Sequence, residues 1–235
     1  MPRVARIVVP GAAHHVTQRG NNRQDVFFVD EDRRAYLGLL KEKAELYGLE
    51  VLGYCLMTNH VHIVAVPSSE EALAKAIGRT HFAYTQYVNR LHGRSGHLWQ
   101  NRFYSCMLDE PHLWRALSYV ERNPVRARMV RLAWRHAWSS AAAHIGERDH
   151  SDLLDLAAWK KDWSPAKWKH ELERPDDEAL TEQLRRSTYT GRPLATDRLL
   201  ARLETRIGRR LRPNPVGRPK GSKKATRRTK IGDCP

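Results

Sequence analysis

Cysteine is scarce in this chain and acidic residues are outnumbered. Three cysteines occur in 235 residues, at Cys55, Cys106 and Cys234. They are odd in number, far apart and never in Cys-x-x-Cys spacing, which excludes a disulfide framework and a thiolate zinc site. Cys55 and Cys106 sit in apolar stretches and read as small core residues. No apolar run approaches the roughly 20 residues that span a bilayer. The opening Met1-Pro2-Arg3-Val4-Ala5-Arg6 lacks the apolar core of a secretion signal, so cytoplasmic residence is the expectation.

The acidic deficit is the second informative shortage. Against 41 Lys and Arg stand 26 Asp and Glu, giving a formal net charge of +15. Such a chain calls for a polyanionic partner, nucleic acid first and an anionic membrane surface second. Apolar residues make up 41% of the sequence, enough for a core, which excludes a wholly disordered protein. The length accommodates one solid domain and an accessory region.

Periodicity supplies the elements. Residues 4–19 read as an interrupted first strand or a strand pair, broken at Pro10-Gly11 and resumed at His15-Val16-Thr17. Asp30 is the expected cap of a helix running to about Tyr47. That helix has Tyr36, Leu37, Leu40 and Ala44 at helical spacing and Gly48 as its stop. A hairpin covers residues 50–66 and a second helix about 70–92. Trp99 to Leu108 reads as a strand. A third helix starts near Glu110-Pro111 and ends at Arg122 or Asn123, before Pro124. The order β-α-β-β-α-β-α predicts an α+β fold of ferredoxin-like type, an antiparallel sheet with helices on one face. Many functions use that arrangement.

Three segments follow. Residues 1–145 form the expected domain. Residues 146–212 are helical and charged, an expected accessory DNA-binding region with helix starts at Ser164-Pro165, Pro175-Asp176 and near Thr196. Residues 176–188 and 196–208 have the loose outline of a helix-turn-helix, although plain helical packing explains them better. Residues 213–235 read as a disordered basic tail. Within it, Gly217-Arg218-Pro219-Lys220 resembles an AT-hook, in which Arg218 would enter a narrow minor groove and Lys220 would meet phosphate. A solubilising tail with non-specific affinity is the equal alternative.

Chemistry enters at His60-Val61-His62. Side chains two apart on a strand share a face, and two neutral imidazoles are half of a divalent-metal site. Twelve histidines in 235 residues give roughly 0.6 such pairs by chance, so the pair needs partners. The third helix offers them. Leu113, Leu117 and Val120 make its core stripe. Tyr119 lies about 200° of helical turn from Leu117, and Asn123, four residues on, shares the face of Tyr119. A hydroxyl nucleophile and an amide oxygen thus point together away from the stripe. Tyr84 and Tyr87 follow the apolar side of the second helix, and packing explains Tyr104. Arg19, Asn21, Asn22 and Arg23 form a polar loop read equally as a solvated turn or a DNA contact. Gln100 and Arg102 flank aromatic residues that are either core or a platform for an unpaired base.

These residues resemble the HUH single-tyrosine transposases of the IS200-like superfamily, most closely the REP-associated tyrosine transposases. The resemblance is carried by four stretches in order: His15-Val16-Thr17-Gln18-Arg19-Gly20-Asn21-Asn22, Met57-Thr58-Asn59-His60-Val61-His62, Leu98-Trp99-Gln100-Asn101-Arg102-Phe103, and Ser118-Tyr119-Val120-Glu121-Arg122-Asn123-Pro124-Val125. Trp138-Ser139-Ser140 closes it. The resemblance implies that His60 and His62 bind a divalent metal, with Asn123 where the family has its third polar ligand. It implies that Tyr119 becomes linked to a DNA 5′-phosphate, and it favours Mg2+ or Mn2+ over zinc. The implied partner is single-stranded DNA with hairpin structure, with the protein associated with the nucleoid when engaged. The long C-terminal region favours a monomer, with a homodimer the alternative. Metal proximity is the preferred aid to deprotonating Tyr119, with His112 an alternative base. Two other functions compete: a non-catalytic DNA-binding regulator on the same fold, and a metal-dependent hydrolase with no covalent step.

Overall fold

The computed structural model describes residues 6–212. The AT-hook-like segment, with Arg218 and Lys220, lies outside the described residues, as does the remainder of the expected tail.

Four antiparallel strands form one sheet: β1 (His14–Arg19), β2 (Leu49–Met57), β3 (His60–Pro67) and β4 (Tyr104–Met107). Their order is β2-β3-β1-β4, the order that two interleaved βαβ units produce. The helices are α1 (Asp30–Tyr47), α2 (Ala72–Leu91), α3 (Glu110–Glu121), α4 (Asn123–Arg126), α5 (Ala141–His144), α6 (Ala157–Asp162), α7 (Pro165–Glu173), α8 (Glu178–Thr190) and α9 (Asp197–Ile207).

Strand alternation decides which helices cover which face. Val61, Ile63 and Ala65 of β3 join Val16 of β1 in a core shared with Tyr36 and Leu40 of α1 and with Leu73, Ile77 and Tyr84 of α2. Those two helices lie on one face, as the element order predicts. The opposite face carries Val64, Cys55 and Cys106, and it is covered too. Leu117 and Val120 of α3, Trp168 and Leu172 of α7, and Leu184 of α8 pack there. One apolar cluster therefore runs across the expected boundary at residue 145, and the helices beyond it share the core of the sheet.

Several local expectations change. β1 begins at His14, and residues 6–13, the described part of the chain before it, are not strand. The N-cap of α1 is Val29 rather than Asp30, which is the first helical residue. Asp32 in the first turn reaches back so that its Oδ2 accepts from the Phe28 and Val29 amides at 2.7 and 3.0 Å. Gly48 ends α1 with φ 67, as its sequence position predicts. β4 is shorter than the run from Trp99 to Leu108. Residues 99–103 are held instead through single bonds, Gly20 bridging Trp99 and the Gln100 amide donating to Arg19 O at 2.9 Å. Pro124 does end α3, yet the chain turns at Arg122 and starts the short α4 at Asn123.

Gly53 sets how closely α3 approaches. A Cβ there would collide with Leu117 Cδ1 and lie 2.9 Å from Ser140 Oγ. Its absence lets α3 lie directly on β2, which carries Tyr119 over the neighbouring strands. Among the described residues no helix is long and apolar enough to cross a membrane.

Candidate active site

His60 and His62 alternate with buried Val61 on β3 and so project from the α3 side of the sheet. Register places Thr17 of β1 opposite His62 and Tyr104 of β4 opposite Thr17. A cleft of about 680 Å3 opens over this row. It is lined by His60, His62, Tyr119 and Asn123, the four residues read from sequence as metal ligands and nucleophile, and by Arg19 and Gln100.

The Tyr119 ring stands edge-on to two imidazoles, with centroids 5.8 Å from His62 and 6.0 Å from His15. Arg126 lies over the same ring at 4.1 Å and donates to the Tyr119 carbonyl. Asp176 holds Arg126 in place at 3.2 Å and also binds Arg122 at 3.0 Å. From α8, Arg185 Nε donates to Tyr119 Oη at 3.3 Å. Among the described residues, three arginines, Arg19, Arg126 and Arg185, line the cleft and no carboxylate does. An anion is the ligand this balance favours.

Hydrogen bonds fix the imidazoles. Thr188 Oγ1 donates to Leu184 O at 2.8 Å, so it accepts from His15 Nδ1, also at 2.8 Å. His15 Nε2 is then an acceptor, and it lies 2.9 Å from His62 Nδ1, which must donate. The Nε2 lone pair of His62 is left for another ligand. His60 is ordered the same way, with its Nδ1 2.6 Å from Asn59 Oδ1. Burial lowers the pKa of His60 to about 4 and of His15 to about 3, and pushes that of His62 well below 6.5. All three are neutral at pH 7, the state in which imidazole binds a metal.

The donor set fits a divalent ion of the nitrogen- and oxygen-binding kind. It comprises two neutral imidazoles with oriented Nε2 atoms and the Asn123 amide, whose Nδ2 donates to Val120 O and leaves Oδ1 as the acceptor. Among the described residues no three His, Cys, Asp or Glu side chains converge on one point. These residues would give such an ion half a shell, with positions open for phosphate and water.

The fold and this geometry stand beside what known proteins resemble. Residues 8–123 match the family described as transposase, IS200 like. The chain belongs to the IS200-like transposase family through that segment. Among solved structures, a REP-associated tyrosine transposase bound to a REP hairpin superposes with a TM-score of 0.55 at 14% identity, covering 70% of this chain and 92% of that one. A transposase-like protein from Deinococcus radiodurans gives a TM-score of 0.37 at 20% identity, over 52% of this chain and 97% of that one. No curated protein matches the sequence.

Not every residue expected at this site is brought to it. Asn21, Asn22 and Arg23 form a tight turn after β1, with φ 51 at Asn22 and 60 at Arg23, and do not line the cleft. Arg102 is exposed outside it. His112 pairs with Asp109 at the start of α3, about two helical turns before Tyr119, and does not line the cleft. Tyr84 is a core residue whose hydroxyl donates to Val26 O at 2.6 Å. Tyr104, read as packing, does line the cleft.

The sequence reading missed His15, Thr17, Arg126, Arg185, Thr188 and Tyr189, all of which line it. For His15 and Thr17 a signal existed, because their alternation around buried Val16 sets them on the face opposite the first core. Arg185, Thr188 and Tyr189 gave none. They lie beyond the family-matched segment and reach the site only because α8 packs on β4 and β1.

Proposed function

We propose that this protein cleaves and rejoins single-stranded DNA beside a hairpin through a 5′-phosphotyrosine at Tyr119. What supports the reading above all is the convergence of Tyr119 with His60 and His62 in one cleft whose lining, among the described residues, holds three arginines and no carboxylate. Family membership supports the reaction class, and the hairpin bound by a structural relative supports the substrate class.

A phosphodiester resists attack because its charge repels nucleophiles and its leaving oxygen is poor. A divalent ion, Mg2+ or Mn2+, held by His60, His62 and Asn123 would supply Lewis-acid polarisation of a phosphate oxygen. Arg19 and Arg126 offer charge to the strand's phosphates. Tyr119 Oη attacks phosphorus in line. The Oη–P bond forms as the P–O3′ bond breaks, and the departing oxygen takes up a proton as a free 3′-hydroxyl. The phenol proton leaves to water in the open cleft, with the Arg185 guanidinium donating to the oxygen that loses it. Because the phosphotyrosine conserves the broken ester, attack by another 3′-hydroxyl joins strands and restores the phenol.

The test uses labelled single-stranded hairpins with Mg2+ or Mn2+. The unaltered chain should yield DNA bound to protein through a bond that survives denaturation, and Tyr119→Phe or a chelator should abolish it. Metal-dependent cutting that persists in Tyr119→Phe would replace the transferase with a hydrolase. Binding without cleavage across the pool would favour a regulator.

A further inference from the structure

We infer that Tyr104 and Tyr189 form a stacking subsite for an unpaired base of the DNA strand in the cleft, next to the phosphate held at the histidines. The nature of the strand rests on the transferase reading; the geometry does not.

Tyr189 sits in the last turn of α8 with 72% of its surface exposed, the most open large apolar side chain among those described. One face of its ring is used. It stacks on Tyr104, with centroids 5.2 Å apart and planes 23° from parallel. The other face meets solvent at the wall of the cleft. Packing explains the first contact and leaves the second unexplained, since a ring that only shielded Tyr104 could be any apolar group.

The sheet gives the subsite its address. Tyr104 lies in the cross-strand row that runs through Thr17 to His62, two strand spacings or roughly 10 Å from the metal ligand. A strand with one phosphate at the histidines therefore carries a neighbouring base over the tyrosines. Gln100 and Asn101 line the same cleft and offer hydrogen bonds to base edges, while Arg19 and Arg185 offer charge to the backbone. Aromatic stacking is tolerant of sequence, because every base has a flat face. The subsite would thus fix position along the strand and leave its sequence to other contacts.

The probe is a set of single-stranded oligothymidylates, each with one thymine replaced by photoreactive 5-iodouracil, bound to the full chain carrying Tyr119→Phe so that nothing is cleaved. Raised salt weakens binding through phosphates alone. One labelled position should crosslink to Tyr189 or Tyr104, located by mass spectrometry. Tyr189→Ala should weaken binding about 5- to 150-fold and remove that crosslink, whereas Tyr189→Phe, which keeps the ring, should preserve affinity. Equal affinity for Tyr189→Ala, or crosslinks confined to other aromatic residues, would overturn the subsite. Adduct formation is scored separately in the chain that retains Tyr119. A crosslink without any adduct sinks the transferase reading and supports the subsite, and an adduct without the crosslink does the reverse.

Discussion

His15 Nε2 lies 2.9 Å from His62 Nδ1, and the two rings are nearly parallel at 8°. The bond passes the constraint of a helix hydroxyl, Thr188 Oγ1, through one imidazole to another. It holds His62 in the tautomer whose Nε2 is free. Outer partners of this kind orient metal ligands, and their loss costs about 10- to 100-fold in metal affinity. His15→Phe keeps the ring and removes both nitrogens. Calorimetric titration of Mn2+ into the DNA-bound chain should show that loss, with a smaller one for Thr188→Val. Unchanged affinity in His15→Phe would separate His15 from the metal site.

Arg185 touches the atom proposed to react. A donor fixed on an oxygen that becomes charged acts in the chemical step, and removing one such donor costs about 10²- to 10³-fold in rate. Arg185→Gln should slow adduct formation by that order at saturating DNA, and Arg185→Lys should slow it less. Rejoining from the isolated adduct passes through the same transition state, so it should slow equally. A change in DNA affinity alone would reduce Arg185 to a phosphate contact.

Glu121 ties the third helix to the C-terminal region. It is fully buried and accepts from Ser140 Oγ, from His144 Nδ1 and, at 2.8 Å, from Trp168 Nε1. Removing one partner of such a cluster strands the others and costs about 3–5 kcal/mol. Glu121→Ala should lose stability on that scale in urea denaturation, while Glu121→Gln, which keeps an acceptor oxygen, should lose less. A loss under about 1 kcal/mol for the alanine variant would show that apolar packing alone holds α7.

Acid should weaken the fold before its carboxylates titrate. Burial lowers the pKa of His81 to about 3 and of His14 to about 4. Between those values and 6.5 the unfolded chain binds protons that the folded chain refuses, so stability falls as pH falls. Each such histidine gives a slope of about 1.4 kcal/mol per pH unit. Its contribution is whole above 6.5 and gone below the folded-state value. The urea midpoint should drop between pH 6.5 and 4.5, and His81→Gln should flatten that slope by about one proton. A flat midpoint across this window contradicts the buried neutral state.

The sequence carried the sheet and the central four residues because each depends on local rules. Alternation put His60 and His62 on one face, and helical spacing put Asn123 near Tyr119. Gly48 and Pro124 marked helix ends through backbone sterics. The wall formed by α8 was illegible for a physical reason. Leu184 and Thr188 give it a buried side, but nothing in residues 178–190 names β4 as the surface it covers. The row from His62 through Thr17 to Tyr104 needs strand order, which pairs β1 with β3 and β4 across long sequence separations. Asp30 does not cap α1 because the chain enters the helix one residue earlier, at Val29, and that path decides that Asp32 meets the Phe28 and Val29 amides.

Metal and DNA should bind each other's complex more tightly than the free protein. The donor set is neutral, consisting of two imidazoles and an amide, and three arginines share its cleft. Among the described residues Asp176 pairs with Arg126 from outside the lining, which itself holds no carboxylate. A divalent cation entering alone meets like charge and half a shell. A strand phosphate changes both terms, since it neutralises arginine charge and adds oxygen ligands, the company that Mg2+ and Mn2+ prefer. Coupling between two ligands is reciprocal, and typical values correspond to about 5- to 150-fold. Mn2+ titrated into the Tyr119→Phe chain should therefore bind within that range more tightly when a hairpin oligonucleotide is present. The hairpin in turn should lose the same factor when the metal is chelated. Equal Mn2+ affinity with and without DNA would mean that the protein completes the metal shell by itself.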